Sequence, residues 1–300
     1  MEHIRTVTRE FQTGAKAVLH LESRSGSVLV ESRDSDRVVV DATVKIWTDI
    51  AAEADDAAEL VSRHMEQDGH RVIVRAPALN SGEKGLLAHL GLRGSSVDYH
   101  VRVPRQCAVR VLSRSGSVRI SGTEGVVHTE AMSGRLQVED ITGDVTAISR
   151  SGSVTIERIQ GSVRAEARSG KFQARKIDGN IEAEARSGSI DIEDVGQNVQ
   201  VSASSGTISI ANAGGRMQVR SRAGSVRYRG AVRGDVEMEA HAGSITLAVE
   251  VDAPFFLDAE SAAGSVRSDL PPRRNGPAPA EGGPKVRLRT RAGSIRITSA

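Results

Sequence analysis

A pair made of a small residue and a glycine recurs along the chain at Gly116, Gly134, Gly152, Gly170, Gly188, Gly206 and Gly224, each 18 residues after the last. Six equal steps mark an internal repeat, and a repeat of this length constrains the fold more than any single motif. The spacing loosens to Gly243, Gly264 and Gly293, and one copy stands apart at Gly26 within SRSGSVLV. A second glycine falls nine residues after the first, at Gly125, Gly143, Gly161, Gly179 and Gly215. Gln197 breaks that series, with Gly196 beside it.

Between these marks apolar and polar residues alternate. After Gly152 come Val154, Ile156, Ile159, Val163, Ala165 and Ala167. After Gly188 come Ile190, Ile192, Val195, Val199, Val201 and Ala203. Period-2 alternation in short runs broken by glycine predicts short strands joined by tight turns. A meander of hairpins has no need of identical spacing in every copy. A coil does, because each residue stacks on its equivalent one row below, about 4.8 Å away, and no row is stable alone. Strand crossovers within one sheet are right-handed in ~98% of cases. The pattern therefore predicts an all-β fold: a right-handed, single-stranded parallel β-helix, a solenoid with 18-residue coils. The recurring glycine takes the corner, where a positive φ and close approach of the next row exclude a Cβ. The structural turn residues are thus Gly116 through Gly224.

Residues 1–105 are less regular and predict an α+β N-terminal cap, with the solenoid over 106–300. Residues 16–46 alternate as strands. Asp49 is placed to cap a helix over 50–68, where Ile50, Ala54, Ala57, Val61 and Met65 share a face and Gly69 ends the run. HRVIVRAP and VDYHVRVP are strands. Between them LNSGEKGLLAHLGLRGSS brings Leu86, Leu87 and Leu90 close together. Near the other end, the Pro/Gly-rich stretch at 268–285 predicts an exposed loop. The chain finishes on a strand, AGSIRITSA, which predicts an uncapped coil with unpaired backbone groups and an assembly edge at Ser294, Ile295, Arg296, Ile297 and Thr298. A loop at 268–285 folded over that edge is the competing arrangement.

Charge narrows the functional classes. Forty Lys and Arg against 38 Asp and Glu leave a net charge of +2, which is not the composition of a dedicated nucleic-acid or membrane binder. With one cysteine, Cys107, no internal disulfide is possible, and its place beside a strand predicts a buried apolar role. No secretory signal or membrane-spanning apolar run is read, so the expected location is cytoplasmic. Aromatics are only 2% of the residues, so the core must be thin. Phe172 and Tyr228 fall on inward positions.

The SRSGSVLVESRDSDRVVVDA block, the VDYHVRVP strand and the run SGSVRI, SGRLQV, SGSVTI, SGKFQA and SGSIDI together resemble a bacterial β-strand-repeat family of unknown function, domain of unknown function 4097, often labelled "putative adhesins". The resemblance implies a right-handed β-helix and brings no catalytic residues with it.

Arginine recurs two positions before the corner glycine, at Arg114, Arg150, Arg168, Arg186 and Arg222, then Arg291, with Met132 and Ser204 interrupting. Stacked one per coil, these guanidinium groups form a rail for an anionic polymer. Local pairing with Glu166 and Glu184 is the simpler alternative, and exposed pairs of that kind contribute only about 0–1 kcal/mol each. Catalysis finds little support. The best acidic cluster, Asp191, Glu193 and Asp194, faces Gln173, Arg175 and Lys176 one coil below, which predicts ion pairs rather than an acid–base pair. No triad or metal-ligand spacing occurs, and SGSV corners lack the aspartates of calcium-binding nonapeptides. No cofactor or metal is expected. The chain is expected to be non-enzymatic, a scaffold acting by self-association or partner docking. An adhesin-like binder of an anionic polymer is the alternative, and a polysaccharide-acting enzyme the weakest.

Overall fold

The computed structural model describes residues 1–77, 95–250, 255–270 and 283–299, and the chain forms two compact units, Met1–Asp144 and Val145–Ala300. The first contains β1 (Glu2–Gln12), β2 (Lys16–Ser23), β3 (Val28–Arg33), β4 (Arg37–Trp47), α1 (Ala51–Arg63), β5 (Met65–Asp68), β6 (Arg71–Val74), β7 (Ser96–Pro104), β8 (Gln106–Ser113), β9 (Ser117–Ser121) and β10 (Val127–Ile141).

The isolated corner at Gly26 is the first row of the stack. β8 lies parallel to β2 with Leu19 opposite Val109, and β9 lies parallel to β3 with Val28 opposite Val118. A Cβ on Gly116 would stand 2.0 Å from the Gly26 carbonyl oxygen. Residues 34–104 are therefore an insertion between two rows that touch. Within it β4 pairs antiparallel with both β1 and β7, and β7 returns parallel to the outer edge of β3. Asp98 on β7 ties this insertion to the corner. Its carboxylate accepts from the Ser27 backbone N–H at 2.6 Å and the Ser27 hydroxyl at 2.7 Å, and meets Lys45 Nζ at 2.7 Å.

The helix is shorter than the predicted 50–68. It ends at Arg63, and Met65 begins β5, which folds back antiparallel on β6. Asp49 does not cap it. Thr48 does the nearby work: its hydroxyl bonds the Ile50 N–H and the Glu53 carboxylate, while Asp49 meets the terminal amine. Gly69, with φ of 58°, makes the β5–β6 turn instead of a helix end. Ala54, Ala57 and Val61 are buried, as their spacing requires. The leucines at 86, 87 and 90 lie outside the described residues.

The second unit contains β11 (Val145–Ile159), β12 (Val163–Ile177), β13 (Ile181–Val195), β14 (Val199–Ala213), β15 (Met217–Ala231), β16 (Val236–Ala242), β17 (Ile245–Glu250), β18 (Phe256–Ala263), β19 (Val266–Ser268), β20 (Lys285–Ala292) and β21 (Ile295–Ser299). From β11 to β15 successive strands pair in parallel with a register of 18: Val145 with Val163, Ile181 with Val199. Each strand carries its corner glycine inside it. At Gly188, φ is +124° and a Cβ would stand 1.9 Å from the Gly170 carbonyl oxygen, so no other residue fits. The halfway glycines serve close approach alone; a Cβ on Gly179 would meet the Gly161 oxygen at 2.6 Å. Gly196 does replace Gln197 there, 2.5 Å from the Asp178 oxygen by the same measure.

The core is the thin one expected of an aromatic-poor chain. Val154, Phe172, Ile190, Ile208 and Val226 are buried on the same inward column, and Tyr228 is buried with its hydroxyl donating to the Ala231 carbonyl at 2.6 Å. In the first unit Cys107 is a free, fully buried thiol whose pKa burial pushes up to about 12, in keeping with an apolar role. Ala167, expected inside, is half-buried beside the corner.

One recurrent feature has no glycine signature. Six residues after each corner from Gly116 to Gly224 the backbone takes a positive φ, at Gly122 and Asp140 in the first unit and at Arg158, Lys176, Asp194, Asn212 and Gly230 in the second. A left-handed residue with a Cβ costs roughly 1–2 kcal/mol, and the fold accepts this in successive rows to turn the strand at that place.

Candidate functional site

Chain order and spatial order part company in the last three rows. β16 and β17 are followed in sequence by β18 and β19. In space, however, β20 pairs with β16 on one side and β18 on the other, and β21 lies between β17 and β19. The glycine column says the same: Gly293 sits on Gly243, and Gly264 sits on Gly293. The predicted assembly edge, Ser294 to Thr298, is thus an interior row. Ile295 and Ile297 are buried with strands on both sides, because β18 and β19 add their own backbone bonds to β20 and β21. Most of the Pro/Gly-rich stretch, 271–282, lies outside the described residues.

The open end belongs to β18 and β19, which have a strand partner on one side only among the described residues. Val266 stands in the core column of Ile295 and Ile245, yet it is 43% exposed where they are 1% and 0% exposed. Phe256, at the start of the row in the outward column of Lys285, is 54% exposed. The row also tapers in apolar content: Ala259 lies against Leu288 and Ser268 against Ile297. It presents a backbone edge and a small apolar patch to the solvent.

The arginines occupy a second surface. In the second unit the register stacks Ser149, Ala167, Ala185, Ala203, Ser221, Ala240 and Thr290. The next residue of each row is therefore Arg150, Arg168, Arg186, Ser204, Arg222, His241 and Arg291. All but Ser204 are exposed. The expected pairing with Glu166 and Glu184 does not form. Glu166 turns to Arg164 at 3.6 Å, and none of the five arginines has an acidic partner among the described residues. The ladder backbone is held from row to row: the hydroxyls of Ser169, Ser187 and Ser205 donate to the carbonyls of Arg150, Arg168 and Arg186 at 3.2–3.3 Å. In the first unit Arg24 and Arg114 share the same corner position, and Ser115 and Ser133 make the same bonds to their carbonyls.

Residues 102–205 match a family model described as Toastrack DUF4097. That stretch of the chain is similar to the Toastrack DUF4097 family. It takes in β8 to β13 and the first half of β14, while the Gly26 row, which packs directly on β8 and β9, falls outside the matched span. No curated protein matches the chain. A solved structure described as a "putative cell adhesion protein" from Clostridium sporogenes aligns over 100% of this chain and 99% of its own, at 11% identity and a TM-score of 0.21. That score is too low to support any structural argument.

Within the matched stretch the acidic cluster is spent on its neighbours. Asp191 accepts from Gln173 at 3.4 Å, Glu193 pairs with Arg175 at 3.4 Å, and Asp194 accepts from Asn212 at 2.8 Å. Elsewhere a shallow polar groove in the first unit is lined by Glu31, Ser32, Arg33, Asp34, Ser121, Gly122 and Asp140. No group of three or more His, Cys, Asp or Glu is placed to hold a metal among the described residues, and no described helix is long and apolar enough to cross a membrane.

Proposed function

We propose that this protein is a non-enzymatic β-solenoid scaffold that docks a second copy of itself at the β18–β19 end. Its coils are right-handed, 18 residues long and formed by one strand each, and residues 34–104 are an insertion after the first row. It works in a reducing, cytoplasmic setting. The observation that carries the docking is Val266: a core position, in register with Ile295 and Ile245, with no covering row among the described residues. An open row of parallel strands offers hydrogen bonds and apolar contact together, and the partner that matches its length and spacing is another such row. The taper to Ala259 and Ser268 keeps the patch small, so the association is weak, reversible and dependent on concentration.

The test is sedimentation velocity over a concentration series for the wild type and for Val266→Lys. Val266 is exposed enough for lysine to leave the fold intact, which a matching thermal transition checks. Growth in size with concentration in the wild type, and its loss in Val266→Lys, supports docking at this end. A wild type that stays a monomer at all concentrations overturns it. Equal growth in the variant places the contact elsewhere.

A further inference from the structure

We infer that the corner arginine ladder of the second unit is a binding site for an extended acidic polysaccharide, a linear polymer carrying carboxylates along one edge. This does not depend on docking at the β18–β19 end.

The inference starts from a contrast between neighbouring columns. On the strands that flank the corner, several arginines face an acid in the adjoining row: Arg164 pairs with Glu182 at 2.8 Å, Arg175 with Glu193 at 3.4 Å, and Arg220 with Glu239 at 3.6 Å. A stack of rows about 4.8 Å apart brings equivalent side chains together, so alternation is the arrangement that lowers the energy of such a column. The corner column does the opposite. Arg150, Arg168 and Arg186 follow one another without an acid, and Arg222, His241 and Arg291 continue the line after Ser204. Like charges at this separation repel, and the chain keeps them in three successive rows. An anion from outside removes that repulsion.

The geometry limits which anion. From Arg150 to Arg291 the ladder makes six row steps, roughly 29 Å at about 4.8 Å each, in a line one side chain wide. A membrane surface calls for a broad basic face with apolar residues beside it, and the column two residues before the ladder carries acids instead, Glu166 and Glu184. Single-stranded nucleic acid is held by aromatic stacking platforms, and Phe256, the one exposed large aromatic among the described residues of this unit, lies at the open end. The phosphates of a duplex wind away from a straight line within one turn of about 34 Å, so only part of the ladder meets them. A flexible sugar polymer with regularly spaced carboxylates follows the line. The hydroxyls of Ser169, Ser187 and Ser205 donate to the backbone, which leaves their oxygens to accept from sugar hydroxyls.

The experiment uses the full chain, with polygalacturonate as the probe and duplex DNA as the competitor. Binding is measured at several salt concentrations for the wild type, for Arg150→Gln/Arg168→Gln/Arg186→Gln, and for a control, Arg164→Gln/Arg175→Gln. The wild type is expected to bind polygalacturonate at low salt. Loss of the three ladder charges should weaken binding about tenfold or more and reduce the salt slope by about 3, while the control changes little. The ladder side chains are exposed, so the triple variant keeps its thermal transition or gains slightly from relieved repulsion. No binding at low salt, an equal loss in the control, or tighter binding of duplex DNA than of polygalacturonate would each overturn the assignment.

Discussion

Ile190 shows how a single residue holds the stack. It is 2% exposed and lies between Phe172 and Ile208 in the adjoining rows. Ile190→Asp puts a charge where neither neighbour can pair it, and the expected loss is about 4 kcal/mol or more, read from chemical denaturation. Unchanged stability would mean that Ile190 points outward and that the whole inward column is misassigned. At this scale much was legible. The 18-residue step located the corner glycines and the inward columns, because a glycine without a tolerable Cβ and an alternating apolar residue each leave a mark. The left-handed residue six places after the corner left none. Arg158, Lys176 and Asp194 are not turn glycines, and their conformation is imposed by the rows on either side. The unpaired state of Arg168 and Arg186 was equally hidden, since spacing along one strand gives no choice between a neighbour on the same strand and one a row away.

Elements add what stacking alone does not specify. The insertion of residues 34–104 depends on its return strand, β7, and Asp98 is the polar anchor of that return. Burial pushes the Asp98 pKa up, but the hydrogen bonds from Lys45 and from the Ser27 backbone and hydroxyl outweigh it, so its pKa is lowered overall. A carboxylate with a depressed folded pKa contributes stability above its unfolded value, about 3.9, and loses it as the pH falls through the folded value. Asp98→Asn should therefore lower the unfolding midpoint at pH 7, and the gap to the wild type should close below about pH 4. A gap that stays constant as the pH falls from 7 to 3 would mean that Asp98 acts through packing rather than charge. Neither the insertion nor the helix limits could be taken from the repeat. Gly26 carries the corner signature, but nothing in 34–104 announces that the chain leaves and returns to the same row.

For the molecule as a whole, the decisive fact is which row comes last. Sequence order makes β20 and β21 the terminal row; pairing makes them interior, with β18 and β19 outside. The repeat could not reveal this, because rows with the same corner and the same alternation are interchangeable until side-chain volume decides among them. Val286, Leu288, Ile295 and Ile297 fill a row covered on both faces, while Ala259, Val266 and Ser268 suit a row covered on one. Both proposals follow from this geometry: an open end that docks another open end, and a corner ladder left to an external anion.

Amide hydrogen exchange resolved by peptide, at low and high protein concentration, is the most direct measurement. Residues 285–299 should be strongly protected at both concentrations, as interior strands are. Residues 256–268 should exchange faster at low concentration and gain protection at high concentration, when a second copy covers them. Fast exchange across 285–299 alongside concentration-independent protection of 256–268 would contradict both the row order and the docking end.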